Sequence, residues 1–330
     1  MVARYDVAAI GNAIVDVIAP ADDAFLGREG LAKGAMTLID EPRAEALYER
    51  MAQAVETSGG SAANTIAGVA SLGARARYVG KVAGDALGEI FRHDIRAIGA
   101  HYDTAPLVEG PATARCLINV TPDGERTMCT YLGASVRLEP ADVAEEDIAE
   151  AEILYLEGYL FDPESARAAF AKAAAIARGA GRRIALSLSD AFVVERHRAD
   201  LLAFIDAEVD VLIANQGEAM ALFRTPDLSA TVEAVRGRVA LAAVTRSAEG
   251  SIIIANGSSI AVKAAPSAKL VDTTGAGDQY AAGFLVGLAR GRPLAECGAL
   301  GSLAAAEVID HFGPRPQRPL AALAMDQGLI

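Results

Sequence analysis

Positive charge is in short supply. The 330 residues carry 30 Lys and Arg against 43 Asp and Glu, a formal net charge of −13 with a pI near 4.8. Nonspecific binding to nucleic acid or to anionic lipid needs a basic patch, so neither a nucleic-acid nor a membrane partner is expected. A small anion held by backbone amides and a metal ion is not excluded. Cysteine and histidine are equally sparse. Cys116, Cys129 and Cys297 form no CxxC pair, and His93, His101, His197 and His311 stand far apart. This argues against a zinc site or a disulfide framework and for a reducing compartment, with each cysteine a small core hydrophobe. Long apolar runs are missing too. Stretches 281–289 and 297–306 have about half of the roughly 20 residues that span a bilayer. The apolar start MVARYDVAAIGNAIVDVIAP is interrupted by Asn12 and Asp16 and has only Arg4 as positive charge, so it reads as a buried strand rather than a signal peptide. A cytoplasmic protein is expected. The first strand also lacks G-x-G-x-x-G, its only early glycine being Gly11, which disfavours a Rossmann dehydrogenase.

What is present is apolar and alternating. Hydrophobic residues make up 52%, ample for a large core, and the length fits about two domains or one with an appendage. Strand-like runs at 5–10, 75–80, 153–157, 183–188, 210–214 and 241–245 alternate with helical patterns near 61–72, 85–98, 164–180, 193–206 and 216–223. From about 275 the chain turns helical, over 276–290 and 294–311. This predicts an α/β fold with a mainly parallel sheet. Segments 12–39 and 112–136 break the alternation. In the second, two β-like runs flank Pro122-Asp123-Gly124, a good hairpin turn. Both segments read as strands of a small separate sheet able to cover the main domain as a lid. The expected division is therefore a core of 1–11, 40–111 and 137–330 and a lid of 12–39 and 112–136. The acidic stretch 139–152 reads as the solvated face of a short helix.

The most informative string is Asp272-Thr273-Thr274-Gly275-Ala276-Gly277-Asp278, followed by QYAAGFLVGLA. Glycines just before an apolar helical pattern make a loop that opens a helix, whose free N–H groups favour an anion. Glycine lets backbone approach a phosphate closely. Asp278, in the first turn, either caps the helix or accepts a proton from an attacking hydroxyl while the amides hold a transferred phosphoryl group.

The full DTTGAGDxxxAG string resembles the second signature of the ribokinase-like (PfkB) carbohydrate and nucleoside kinases, with Gln279-Tyr280 where Ala-Phe is commoner. Gly59-Gly60-Ser61-Ala62-Ala63-Asn64 resembles the first signature, and the family's other motifs follow in order from about residue 5 to 313. The resemblance implies a three-layer α/β/α core plus a small β lid. It makes Asp278 the catalytic base and the amides of Gly275, Ala276 and Gly277 its anion hole. It makes Gly59 and Gly60 a hinge, with Asn64 beside the substrate, and sets Asp16 on two vicinal sugar hydroxyls with Asn12 in the same pocket. A carboxylate suits a diol because both oxygens accept. Gly84-Asp85 with Gly88 resembles the family's helix start, Asp85 acting as a cap. Asn215 and Glu218 match its Asn-x-x-Glu motif, which orders magnesium through water; alone, the pair is also a capping box. Thr245, Arg246, Ser247 and Gly250 match its nucleotide-binding loop, with Arg246 either on ATP phosphates or solvated. ATP and Mg2+ are the implied cofactors, with K+ a further candidate.

Local details lean toward the adenosine kinase branch. They are Gly11-Asn12 with Asp16, and the strand Arg126-Thr127-Met128-Cys129-Thr130-Tyr131-Leu132-Gly133-Ala134. An aglycone base needs flat apolar walls. Candidates by motif position are Met36, Cys116, Met128, Thr130, Tyr159 and Phe192, each also readable as core. Glu157 and Asp190 depart from animal members of that branch and are candidates for binding an exocyclic amine or a sugar hydroxyl. The leading expectation is an ATP-dependent kinase of a ribonucleoside 5′-hydroxyl, adenosine first. Alternatives are a PfkB kinase of a free sugar or sugar acid (fructose, ribose, ketodeoxygluconate) and a noncatalytic nucleoside sensor. Both a monomer and a homodimer stay open, because a lid sheet is either solvated or paired with another.

Overall fold

A computed structural model describes residues 3–330. Along the chain run β1 (Tyr5–Ile10), β2 (Ile14–Pro20), α1 (Asp23–Glu29), β3 (Met36–Leu38), α2 (Glu41–Tyr48), β4 (Val55–Gly59), α3 (Ser61–Ser71), β5 (Ala76–Val79), α4 (Ala86–Ala97), β6 (Ala114–Val120) and β7 (Arg126–Tyr131). Then follow α5 (Glu145–Ala149), β8 (Ala151–Glu157), α6 (Glu164–Gly179), β9 (Arg183–Ser187), α7 (Ala191–Glu208), β10 (Val211–Asn215), α8 (Gln216–Phe223), α9 (Leu228–Arg236) and β11 (Leu241–Thr245). The chain closes with β12 (Ser251–Ala255), β13 (Ser258–Val262), α10 (Ala276–Ala289), α11 (Leu294–Val308) and α12 (Leu320–Asp326).

Eight strands form the main sheet in the order β13-β12-β11-β10-β9-β8-β1-β5, parallel from β5 to β11 and antiparallel at β12 and β13. Alternate residues of each strand point to opposite faces, and both faces are apolar. Val7, Ala9, Ile153, Ile213 and Ala243 pack with α3, α10 and α11. Ile10, Leu154, Leu156, Leu212 and Val244 pack with α6, α7 and α8. This is the three-layer α/β/α arrangement, with the strand C-terminal ends along one edge.

The second sheet runs β3-β7-β6-β2-β4. The β6–β7 hairpin turns at 121–125, Gly124 supplying a φ of 84°. One division expected above differs. Residues 40–111 were assigned wholly to the core, yet Val55–Gly59 pairs antiparallel with β2 as the edge of the second sheet. Val55-Glu56-Thr57-Ser58 has one apolar residue, so periodicity does not mark it as a strand. Segment 12–39 also carries a helix, α1, capped by Asp22 on the Phe25 N–H at 2.6 Å and ended by Gly30 at φ 66°. The β12–β13 hairpin, absent from the sequence reading, turns on Asn256-Gly257, both at positive φ.

The acidic stretch 139–152 is not all solvated. Asp147 is buried on the Arg77 guanidinium and Asp142 on the Lys81 ammonium. Helix periodicity shows only that charges cluster, not that basic partners 61 and 70 residues earlier arrive beneath them.

Helices α10 and α11 cross closely because glycines face each other. A Cβ on Gly283 would stand 2.3 Å from the Leu300 carbonyl oxygen, with backbone that cannot yield. Gly283→Val should therefore lower stability by about 1–3 kcal/mol by overpacking, read as a lower urea midpoint at unchanged m-value. Gly27, inside α1 with nothing within 4 Å of its Cβ position, gives the contrast: Gly27→Ala should raise stability by about 0.5–1 kcal/mol, read as a higher urea midpoint.

Candidate active site

Two helix N-termini meet at the C-terminal edge of the main sheet. Helix α10 opens after the glycine loop, with Gly275 at φ 77° and its Cβ position only 2.6 Å from Pro314. At Gly277 a Cβ would meet nothing within 4 Å, so the space before the helix is open. The Ala276 N–H is bonded back to the Thr273 carbonyl at 3.2 Å. Among the described residues no protein acceptor takes the N–H groups of Gly275 and Gly277. The 272–275 turn is tied by Asp272, which accepts from the Thr274 N–H (3.0 Å) and hydroxyl (2.7 Å) and from the Gly313 N–H (3.0 Å). Arg126 of β7 lies 2.9 Å from the same carboxylate, both groups buried, so the second sheet rests directly on the loop. Burial opposes ionisation of Asp272, but these donors and the Arg126 charge overcome it and hold its pKa below the ordinary value.

Asp278, in the first turn of α10, faces the N-terminus of α3. Ser61 Oγ donates to Oδ1 at 2.6 Å, and Asn64 Nδ2 reaches Oδ2 at 3.3 Å. Burial pushes the Asp278 pKa up, the Ser61 and Asn64 hydrogen bonds pull it back, and the charges of Glu157 and Asp16 raise it again, to about 7. The carboxyl group is thus poised to take a proton near neutral pH.

Gly59 and Gly60 allow this approach. A Cβ on Gly59 would stand 2.4 Å from the Asp16 carboxyl, and one on Gly60 (φ 97°) 2.2 Å from the Asn12 carbonyl. Asp16 is 7% exposed, and among the described residues none donates a hydrogen bond to its carboxylate. Burial lifts its pKa, partly offset by the Arg315 and Arg126 charges, to about 6. A buried acceptor without a protein donor is a place for a ligand hydroxyl. Asn12 is buried, with Nδ2 on Glu157 at 2.7 Å and Oδ1 unpartnered.

Strand register groups the wall candidates. Asp16 pairs with Cys116, Cys116 with Thr130, and Thr130 with Leu38; one step along, Ile118 pairs with Met128, and Met128 with Met36. Paired residues share a face, so Asp16, Cys116, Thr130, Met128 and Met36 look the same way. The opposite face, with Val15, Val17, Leu117 and Cys129, is buried in the core. Met36 is 50% exposed and Leu38, not anticipated, 56%. Tyr159 is half-buried after β8; burial and the carboxylates of Asp190, Asp278, Glu157 and Glu218 raise its pKa, setting its phenol among the site's acids. Phe192 is on a different element, 70% exposed on the first turn of α7.

Several expectations change here. Glu157 does not face a substrate. It is 1% exposed, and its oxygens accept from Asn12 Nδ2, from the Asn12 N–H at 3.3 Å and from the Ala62 N–H at 2.8 Å. Asp190 caps α7, accepting from the Phe192 N–H at 2.6 Å. Glu218 and Asn215 form a reciprocal capping box, with Glu218 on the Asn215 N–H (2.9 Å) and Nδ2 (2.6 Å). Burial first, then Asp190, pushes Glu218 up to about 7 against the Asn215 N–H bond. Arg246 pairs with Glu249. Thr245 stands beside Asn215 in the sheet, and Ser247 (φ 50°) and Gly250 (φ 83°) shape the turn into β12, where a Cβ on Gly250 would meet the Val262 carbonyl at 2.1 Å.

Three groups escaped the sequence reading: Ser61 as a direct partner of Asp278, Arg126 on Asp272, and Arg315. Arg315 donates to Asn64 Oδ1 (3.3 Å) and Ser58 Oγ (2.7 Å), and its Nη2 is buried without a partner. Ser61 and Arg126 sat inside quoted strings. Arg315 lies 37 positions beyond the glycine motif between two prolines, where nothing local marks it.

No three His, Cys, Asp or Glu residues gather as a metal cage among the described residues. The pair expected to order magnesium, Asn215 and Glu218, is bonded to itself, both Glu218 oxygens accepting from Asn215, so only contact through the ion's water shell would be open to it.

The chain matches the model of the pfkB family of carbohydrate kinases over residues 6–320 and belongs to that family. It is similar to the crystal structure of a probable sugar kinase from Rhizobium etli, with 48% identity and a TM-score of 0.92 over 99% of this chain and 100% of that one. It is similar to the adenosine kinase structure from Sinorhizobium meliloti, with 53% identity and a TM-score of 0.91 over 98% and 100%. The adenosine kinase of Saccharomyces cerevisiae is 27% identical over 92% of this chain and 95% of its own length. The protein is a phosphotransferase with an alcohol as acceptor, and the family implies ATP and a divalent metal. No helix among the described residues is long and apolar enough to cross a membrane.

If Asp278 must be ionised to react, kcat/KM should fall as pH drops below about 7 with the slope of one proton. Ser61→Ala, by removing a hydrogen bond to the charged form, should move that limb to higher pH; a rate profile from about pH 5.5 to 9 reads both. The folded protein holds the Asp278 proton more tightly than the unfolded chain, so this group lowers stability as pH rises from about 4 toward 7. Asp278→Asn should accordingly melt at a higher temperature than wild type at about pH 8.

Proposed function

We propose that the protein is an ATP-dependent ribonucleoside kinase that transfers the γ-phosphoryl group of ATP to the ribose 5′-hydroxyl, with adenosine as the acceptor. The observation that carries this reading is the face of the second sheet. It sets the donor-free Asp16 carboxylate beside Cys116 and Thr130 and continues to exposed Met36 and Leu38. A polar end for a diol and an apolar wall beyond it suit a sugar joined to a flat base. The similarity to the Sinorhizobium adenosine kinase over nearly the whole chain supports the same reading.

In this mechanism Asp16 accepts from two ribose hydroxyls, and Asn64 aligns the sugar. Asp278 removes the 5′-hydroxyl proton as the oxygen attacks the γ-phosphorus in line and ADP leaves. The amides of Gly275 and Gly277, with Ala276 once its turn bond opens, and the positive end of α10 stabilise the charge on the transferring group. Bound magnesium supplies further neutralisation of phosphate charge. The second sheet closes as a lid hinged at Gly59-Gly60, excludes water and suppresses ATP hydrolysis. A second reading, a free sugar or sugar acid as acceptor, draws on the similarity to the probable sugar kinase from Rhizobium etli.

Coupled ADP detection across adenosine, inosine, guanosine, cytidine, ribose and fructose tests the substrate. Adenosine should be the best acceptor; turnover with fructose or ribose and none with nucleosides would select the second reading. Asp278→Asn should bind nucleoside normally and lose about 10²–10⁴-fold in kcat. Near wild-type turnover would remove Asp278 from its role.

A further inference from the structure

The two residues that depart from the family string, Gln279 and Tyr280, follow the catalytic-helix aspartate directly, and neither reaches the open cleft. Gln279 is wholly buried. Its Nε2 donates to the Asn64 carbonyl and to the Pro314 carbonyl, both at 2.9 Å. The amide cannot be flipped without setting oxygen against two carbonyls, so its orientation is determined by these partners. Room for it exists because residue 68 is glycine: a Cβ there would stand 2.2 Å from Gln279 Oε1. The two carbonyls belong to the segments that carry the acceptor-side polar groups. Asn64 donates to Asp278, and Arg315, next to Pro314, donates to Asn64 Oδ1 and Ser58 Oγ. One side chain thus ties α10 to α3 and to the Arg315 loop.

Tyr280 works on the other side. Its hydroxyl donates to Ser251 Oγ at 2.8 Å, in a buried contact. Ser251 follows Gly250 at the turn of the loop 245–250, and pairs with Thr245 across the β11–β12 register. A phenylalanine would fill the same space and lose this tie, leaving the Ser251 hydroxyl without it.

We propose that Gln279 and Tyr280 are a pair of positioning residues that join one helix to the two substrate sites separately, Gln279 holding Asn64 and Arg315 for the phosphoryl acceptor and Tyr280 holding the 245–251 turn for the nucleotide. Neither touches substrate; each acts through the groups it holds. The inference rests on the assignment of the acceptor to the Asp16–Asn64 side and of the nucleotide to the 245–250 loop.

The test is a separation of Michaelis constants in the full-length protein. Gln279→Ala should raise KM for the acceptor nucleoside about 5–10-fold, the scale of losing one or two buried hydrogen bonds, and leave KM for ATP within about twofold. Tyr280→Phe should do the reverse, raising KM for ATP about 3–10-fold with the acceptor KM unchanged. A merely structural role would move both constants together or neither, and either result overturns the proposal. Should Gln279→Ala fail to fold, Gln279→Met keeps the volume without the donors and takes its place. Calorimetric titration with ADP and no acceptor provides a second arm: Tyr280→Phe should weaken ADP binding, and Gln279→Met should not. If wild type phosphorylates none of the nucleosides or sugars, the functional reading fails, while the ADP arm still decides the donor half. Equal ADP affinity in wild type and Tyr280→Phe would overturn that half.

Discussion

Two hydrogen bonds join residues 217 and 214 positions apart: Ser61 and Asn64 on Asp278. They bring the N-terminus of α3 against the N-terminus of α10, and most of the site follows from that approach. The approach is possible because Gly59, Gly60 and Gly275 have no Cβ where Asp16, the Asn12 carbonyl and Pro314 already stand. It also fixes the electrostatics. Glu157 and Asp16 lie close enough to Asp278 that each raises the cost of ionising it, while amides at the helix N-terminus beside it have no protein acceptor among the described residues. A carboxyl group near pKa 7 beside a helix N-terminus suits the phosphoryl transfer to an alcohol proposed above.

The deficit of positive charge fits this chemistry. Two arginines near the cleft are paired with acids, Arg126 with Asp272 and Arg246 with Glu249, while Arg315 is held by the neutral Asn64 and Ser58 and keeps its Nη2 without a partner among the described residues. On the reading proposed above, attraction for phosphate draws largely on backbone amides and a helix dipole, which cost no side-chain entropy and sit where the fold puts them. Part of the acidic excess is structural rather than solvating, since Asp142, Asp147 and Asp272 are each held by a basic side chain from elsewhere in the chain.

How far the site could be read in advance differed residue by residue. Asp278, Gly275, Gly59 and Gly60 were legible because each chemical demand is local: a glycine where backbone must come close, a carboxylate in the first turn of a helix. The alternating strands β1, β5 and β8 to β11 were legible from apolar periodicity, and the β6–β7 hairpin from Pro122-Asp123-Gly124. Strand β4 was not, because four of its five residues are polar or glycine. Glu157 was misjudged because a carboxylate at a strand end looks like a ligand group until its partners are known. Those partners, Asn12 and Ala62, are 145 and 95 residues away. Arg315 was missed for the same reason in reverse: the Asn64 to which it donates lies 251 positions earlier.

By itself the sequence determined the kind of chain this is: an acidic α/β protein with a glycine loop opening a helix, a carboxylate in that helix's first turn and an aspartate inside an apolar run near its beginning. Those are properties of short strings, and short strings specify local backbone. The tertiary structure alone decided which side chains are free. It showed that Glu157 is occupied by protein donors while Asp16 has none among the described residues, and that register across β2, β6, β7 and β3 turns Asp16 and the apolar Met36, Met128 and Cys116 to one face. Whether a polar group is satisfied or waiting depends on what packs against it, and for Glu157 those neighbours lie 95 and 145 residues away along the chain.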